Sequence, residues 1–123
     1  MCLSRSKFTL FMFALMMSAG MGTAAANEDI IDAAREEAQE KHGVDVKKIF
    51  STQCGLCHGG YGTSMGGRGG GPKLSATAMT AEQVHSRITD GKEGMMPSFK
   101  KMLKPEEIDA LTTYIMALKA RSK

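Results

Sequence analysis

The chain has no tryptophan, and only two tyrosines and five phenylalanines among its 123 residues. A core so poor in rings must rest on aliphatic side chains or on help from a disulfide, a metal or a cofactor, as short chains often do. No segment alternates apolar and polar residues for long, which argues against a half-buried sheet. No internal repeat is present. The formal net charge is only +3, and no binding motif accompanies it, so nucleic acid is not an expected partner. No arrangement of nucleophile and base stands out. Cysteine is scarce too, with Cys2, Cys54 and Cys57 alone.

The first residues explain one of these cysteines. Met1–Lys7 carries Arg5 and Lys7 and no acid, an apolar run follows from Phe8 to about Gly22, and then come Thr23 and three alanines. Basic start, apolar middle and small-residue exit are the layout of a secretory signal peptide. The run is short and broken by Ser18, Gly20 and Gly22, which suits a signal better than a membrane span. A retained N-terminal anchor is the alternative. Cleavage after Ala26 is expected, so residues 1–26 form the signal, Cys2 leaves with it, and residues 27–123 form the exported, periplasmic protein.

Helical patterns dominate what remains. Residues 27–42 carry Glu28, Asp29 and Asp32 early, Lys41 and His42 late, and Gly43 as a stop, all in accord with the helix dipole. The stripe of Ile30, Ile31, Ala34 and Ala38 is thin; residues 27–43 are expected as an N-terminal helical extension, with loose packing or partial disorder as the alternative. Asp45 is a candidate N-cap for a helix through Val46, Ile49 and Phe50 towards Cys54. Eight of the thirteen residues 59–71 are glycine, which makes a loop. Thr80-Ala81-Glu82-Gln83 has capping-box form, with Val84 and Ile88 on one face and Gly91 as terminator. Pro105 opens the strongest helix, with Ile108, Leu111, Ile115 and Leu118 at three- and four-residue spacing. The expected class is all-α with long irregular connections, the main domain covering 44–123.

Cys54-Gly55-Leu56-Cys57-His58 is C-x-x-C-H, the attachment signal for c-type haem. Two thiols three positions apart on a tight helical turn can each form a thioether to one porphyrin, and the next residue places its imidazole under the iron. Three other uses compete. A thioredoxin-like pair needs a surrounding βαβ sheet, for which the chain shows no strands. A zinc site needs two further ligands at suitable spacing, and only His42, His58, His85 and scattered carboxylates are on hand. A disulfide across so short a span closes almost no loop and stabilises little.

The motif alone leaves the second axial ligand open. Met96, Met95, Met65 and His85 are candidates; Met79, Met102 and Met116 read most simply as core packing. Pro97 follows Met96 and stiffens the chain there. A thioether is a soft ligand suited to iron that cycles between two oxidation states, and His/Met ligation raises the potential relative to bis-histidine.

Four further features lie in a familiar order: Ile49-Phe50 ahead of the cysteines, Gly71-Pro72-Lys73-Leu74 after the loop, Gly91-Lys92-Glu93-Gly94-Met95-Met96-Pro97-Ser98-Phe99, and Ile108, Leu111 and Tyr114 near the end. With them, the stretch from about Val44 to Leu118 resembles the class I cytochrome c family. The resemblance implies a cytochrome c-like fold wrapped around one covalent haem. It implies His58 as proximal ligand, the Pro72 carbonyl as acceptor of its hydrogen bond, and Met96 as distal ligand. One position departs from the family, since Val46 stands where a glycine usually lets the terminal helices cross closely. Contact with Tyr114 is therefore in question. Arg68, in the loop expected at the haem edge, is a candidate partner for a propionate; a solvated arginine is the alternative.

Charge is unevenly spread. Residues 27–42 hold six acids against Arg35 and Lys41, whereas Lys92, Lys100, Lys101 and Lys104 surround the Met96 loop. Lysines around an exposed haem edge would steer an acidic partner. The expected function is a monomeric one-electron shuttle, not an enzyme, between a periplasmic dehydrogenase or reductase and a terminal oxidase. A haem enzyme or gas sensor with an open iron is one rival. A dedicated dehydrogenase subunit docked by the acidic helix is another.

Overall fold

A computed structural model describes residues 24–63 and 70–123, and every regular element among them is helical. The first, α1, spans Ala24–His42. Three alanines, the best helix formers, carry it one turn ahead of the expected start, so the acids fall behind the first turn and not in it. The expected cleavage point after Ala26 lies within that turn, and residues 1–23 lie outside the described residues. Gly43 ends the helix at φ 66°, its N–H donating to the Gln39 carbonyl at 2.7 Å.

The alternative of a loosely packed extension does not hold. Ile31, Ala34 and Ala38 are buried, and α1 lies along the C-terminal helix α5, Pro105–Arg121. Two alanines on the inner face have little bulk, which lets the two backbones approach. Polar links hold the same seam: Glu37 pairs with Arg121 at 2.8 Å, and His42 Nε2 meets Thr113 Oγ1 at 2.8 Å.

Asp45 caps α2, Val46–Ile49, its carboxylate accepting from the Lys48 N–H at 3.0 Å. The helix then widens into a π-helical turn, Phe50–Cys54, where the Gly55 N–H reaches back to the Phe50 carbonyl. It tightens again as α3, Gly55–His58. The departure at Val46 is absorbed without loss of the helix crossing. Val46 and Tyr114 are both fully buried, and the Phe50 ring meets Tyr114 edge-on, with centroids 5.3 Å apart. Such a contact adds about 0.5–1.5 kcal/mol beyond the area it buries.

A 3₁₀ turn, Leu74–Ala76, also packs on α5. The helix α4, Ala81–Asp90, starts with the full Thr80/Gln83 capping box and stops at Gly91, whose N–H donates to the Arg87 carbonyl. The N–H of Lys104 donates to the Glu107 carboxylate at 2.8 Å ahead of Pro105. Ile108, Leu111, Tyr114, Ile115 and Leu118 form the spine of the core, joined by Val84, Ile88, Phe99 and Leu103. Each fully buried side chain of this kind contributes about 1.5–3 kcal/mol, so α5 is the element against which the others are assembled. Met79 and Met116 pack against this core as expected, but Met102 is 57% exposed and takes no part in it. No helix among the described residues is long and apolar enough to cross a membrane.

Candidate cofactor site

Cys54 closes the π-helical turn, and Cys57 and His58 lie on α3, so one continuous helical stretch carries all three. Both thiols are half-buried and unlinked. Burial pushes the Cys54 thiol up to about 12, and the neighbouring Cys57 adds to the shift. A sulfur this poorly solvated is kept neutral.

The ring of His58 is buried, and its Nδ1 lies 2.9 Å from the Pro72 carbonyl. A carbonyl can only accept, so Nδ1 carries the proton of this bond and Nε2 is the ring nitrogen left for a ligand. Gly71 makes this geometry possible. Its N–H donates to the Cys57 carbonyl at 2.8 Å, and a Cβ there would come within 2.6 Å of that oxygen and 2.8 Å of His58 Nδ1. Only glycine fits so close to the ring.

The Met96 loop is held by its own backbone. Lys92 and Met96 exchange two hydrogen bonds, at 2.7 and 2.8 Å. The loop leaves α4 through Gly91 at φ 74°, where a Cβ would collide with the Met96 carbonyl. Its far end returns to α4, with the Phe99 N–H on the Ile88 carbonyl at 3.1 Å and Ser98 Oγ on the Thr89 carbonyl at 2.6 Å. Met96 is half-buried and packs against the core, whereas Met95 is 75% exposed.

The remaining candidates separate from this arrangement. Arg68 and Met65 lie outside the described residues. His85 faces Asp109 at 3.2 Å on α5, and His42 is engaged with Thr113. Lys92, Lys100, Lys101 and Lys104 are all exposed, and Lys100 reaches Asp90 at 3.5 Å. Gly71 and Gly91 were part of recognised motifs, but their steric roles were not foreseen. Gly71 sits in a glycine run that hides which member matters.

The residues present fit a c-type haem. Cys54 and Cys57 stand three positions apart on one helical stretch, as two thioether links to one porphyrin need, and the buried imidazole with its Nδ1 directed to Pro72 leaves Nε2 as the nitrogen that would ligate iron. A model of the family described as "Cytochrome C oxidase, cbb3-type, subunit III" matches residues 43–115. Cytochrome c6 of Anabaena variabilis is 36% identical over 77 residues, covering 59% of this chain and 87% of the relative. Cytochrome c6 of Leptolyngbya boryana is 32% identical over 72 residues, covering 56% and 84%. Among solved structures, the KustC0563 c-type cytochrome superposes with a TM-score of 0.54 at 28% identity, covering 62% of this chain and 99% of its own. The attachment motif, the hydrogen-bonded histidine, the helical fold and these likenesses converge, and the chain belongs to the c-type cytochrome family, as a monohaem member whose class is electron transfer.

Proposed function

We propose that the chain is a periplasmic one-electron carrier with a single covalent haem, attached through Cys54 and Cys57 and ligated by His58 and Met96. The observation that carries this reading is the 2.9 Å contact from His58 Nδ1 to the Pro72 carbonyl. It fixes the tautomer and orients the ring, and it makes the imidazole a stronger donor. The bound haem supplies the ferric/ferrous couple. The chain's own part is to keep both ligands in place so that little rearranges when an electron arrives. His58 is held by helix and hydrogen bond, and Met96 by the paired backbone of Lys92 and Met96 with Pro97 behind it. No proton needs to move and no bond needs to break, so the protein is a carrier and not an enzyme.

In this reading residues 1–26 are the export signal, 27–43 an added helix and 44–123 the haem domain. The exposed lysines at 92, 100, 101 and 104 form a positive rim for an acidic partner face, belonging to a periplasmic dehydrogenase or reductase on one side and a terminal oxidase on the other. The cytochrome c6 relatives support a carrier. One observation favours a second reading, that of a subunit docked on one larger enzyme: α1 precedes the family-matched span and exposes Glu28, Asp29, Asp32, Glu36, Glu37 and Glu40.

Paired substitutions at the methionines test the ligand set. Met96→Ala should abolish the absorption band of Met–iron ligation in the oxidised protein and lower the potential, whereas Met95→Ala should leave both near wild type. The reverse pattern would move the ligand by one residue.

A further inference from the structure

The side chain of Arg35 is only 15% exposed, although it projects from a predominantly acidic helix. It bonds Asp32 at 2.9 Å, and its guanidinium carbon lies 4.7 Å from the centroid of the Tyr61 ring. Burying a guanidinium is costly unless it is paired, and here the carboxylate and the aromatic face together offset the cost. The contact joins α1, which precedes the family-matched span, to the segment that follows His58 directly.

Tyr61 is tied from within as well. Its carbonyl accepts the Tyr114 hydroxyl at 2.9 Å. The next carbonyl, that of Gly62, accepts the N–H groups of Leu74 and Ser75 at 2.8 and 3.1 Å. Leu74 stands two residues after Pro72, whose carbonyl holds His58 Nδ1. A continuous set of contacts thus leads from Arg35 to Tyr61, to the closure between Gly62 and Leu74, and to the carbonyl that orients the proximal histidine. Tyr61 remains 47% exposed even with this contact, so the guanidinium of Arg35 over the ring is a main restraint on its side chain.

We propose that Arg35 is a positioning residue for the proximal ligand, clamping Tyr61 so that the Pro72 carbonyl stays on the His58 Nδ1–H. This rests on the haem reading above. A well-held hydrogen bond at Nδ1 makes the imidazole the stronger donor and favours the oxidised iron. Loosening the clamp weakens that bond, raises the reduction potential and opens the Nδ1 proton to exchange. Loss of a nearby positive charge would act in the opposite direction and lower the potential, so sign separates the two effects.

The test uses the haem-loaded full chain with three single variants. Arg35→Lys keeps the charge but loses the planar face. Tyr61→Leu removes the ring and leaves Arg35. Glu37→Gln breaks the ion pair of α1 with Arg121 without touching Tyr61. Midpoint potential and solvent exchange of the His58 Nδ1 proton, followed by NMR in the reduced state, are read beside thermal stability. Arg35→Lys and Tyr61→Leu should both raise the potential and speed proton exchange several-fold, while Glu37→Gln should move neither. If Arg35→Lys melts earlier but keeps wild-type potential and exchange, α1 is only structural and the proposal is wrong. A lowered potential in Arg35→Lys would also overturn it. Wild-type protein that holds no haem through His58 would defeat the functional reading itself, an outcome distinct from unresponsive variants of a properly ligated protein.

Discussion

The regions that carry the two proposed ligands, His58 and Met96, are built on different principles. On the proximal side, Cys54, Cys57 and His58 share one helical stretch, and the ring is fixed by a side-chain hydrogen bond to Pro72 with Gly71 pressed against it. On the distal side, Met96 sits in an irregular loop held by backbone pairing to Lys92 and by three hydrogen bonds to α4, from Ser98, Phe99 and Lys100. Among the described residues, its side chain is held by its packing on the core. His58, the proposed proximal ligand, is therefore placed by the fold, whereas Met96, the proposed distal ligand, is placed by a loop that can shift while the helices remain intact. Local openings of this kind cost less than global unfolding.

That difference can be broken most sharply at the two glycines. Gly71→Ala puts a methyl group into the Cys57 carbonyl and the His58 ring, so it should cost about 2–4 kcal/mol and impair haem incorporation, seen as a low haem-to-protein ratio. Gly91→Ala meets a positive φ and the Met96 carbonyl. It should cost about 1–3 kcal/mol, and its mark should be a weakened Met–iron absorption band with the covalent haem retained. If both variants lose haem equally, the two sides are not independent.

A smaller effect sharpens the role of the core behind the proximal side. Burial pushes the Tyr114 phenol up to about 12, against an ordinary value of 10. A raised folded value in an acid means that stability is fully present below pH 10 and is lost as pH rises from about 10 through 12. Tyr114→Phe removes the bond to the Tyr61 carbonyl and should cost about 1 kcal/mol at neutral pH. Its denaturation midpoint should then fall less steeply than that of wild type between pH 10 and 12. Equal slopes would mean that other groups set the alkaline limit.

The smallest effect on the fold belongs to the lysines beside the distal loop. Replacing Lys100, Lys101 and Lys104 by Glu should leave stability and potential nearly unchanged, since exposed charges act through a high dielectric. Electron transfer to an acidic partner should slow several-fold at low ionic strength and lose its salt dependence. A wild-type rate indifferent to salt would shift the docking surface towards the acidic face of α1.

The sequence was legible where local chemistry decides the outcome. The caps at Asp45, Thr80 and Gly91 and the apolar spacing of α5 predict those elements closely, and C-x-x-C-H marks Cys54, Cys57 and His58 as the residues proposed to hold the haem. Where packing decides, it was not. Ala34 and Ala38 carry little hydropathy, yet their small size lets α1 join the core. The π-helical turn is a shift of hydrogen-bond register with no compositional signature. Met102 lies in an irregular segment without a period to show which way it faces. The meeting of Arg35 with Tyr61 depends on how α1 lies on α5, which no local pattern encodes.

Covalent attachment through Cys54 and Cys57 is the claim on which the rest depends, and denaturing mass spectrometry of the purified protein tests it most directly. The expected result is a polypeptide heavier by the mass of one haem, its colour staying with the protein in acid and organic solvent, and Cys54→Ser with Cys57→Ser losing both. A polypeptide of unmodified mass whose colour extracts into the solvent would contradict it.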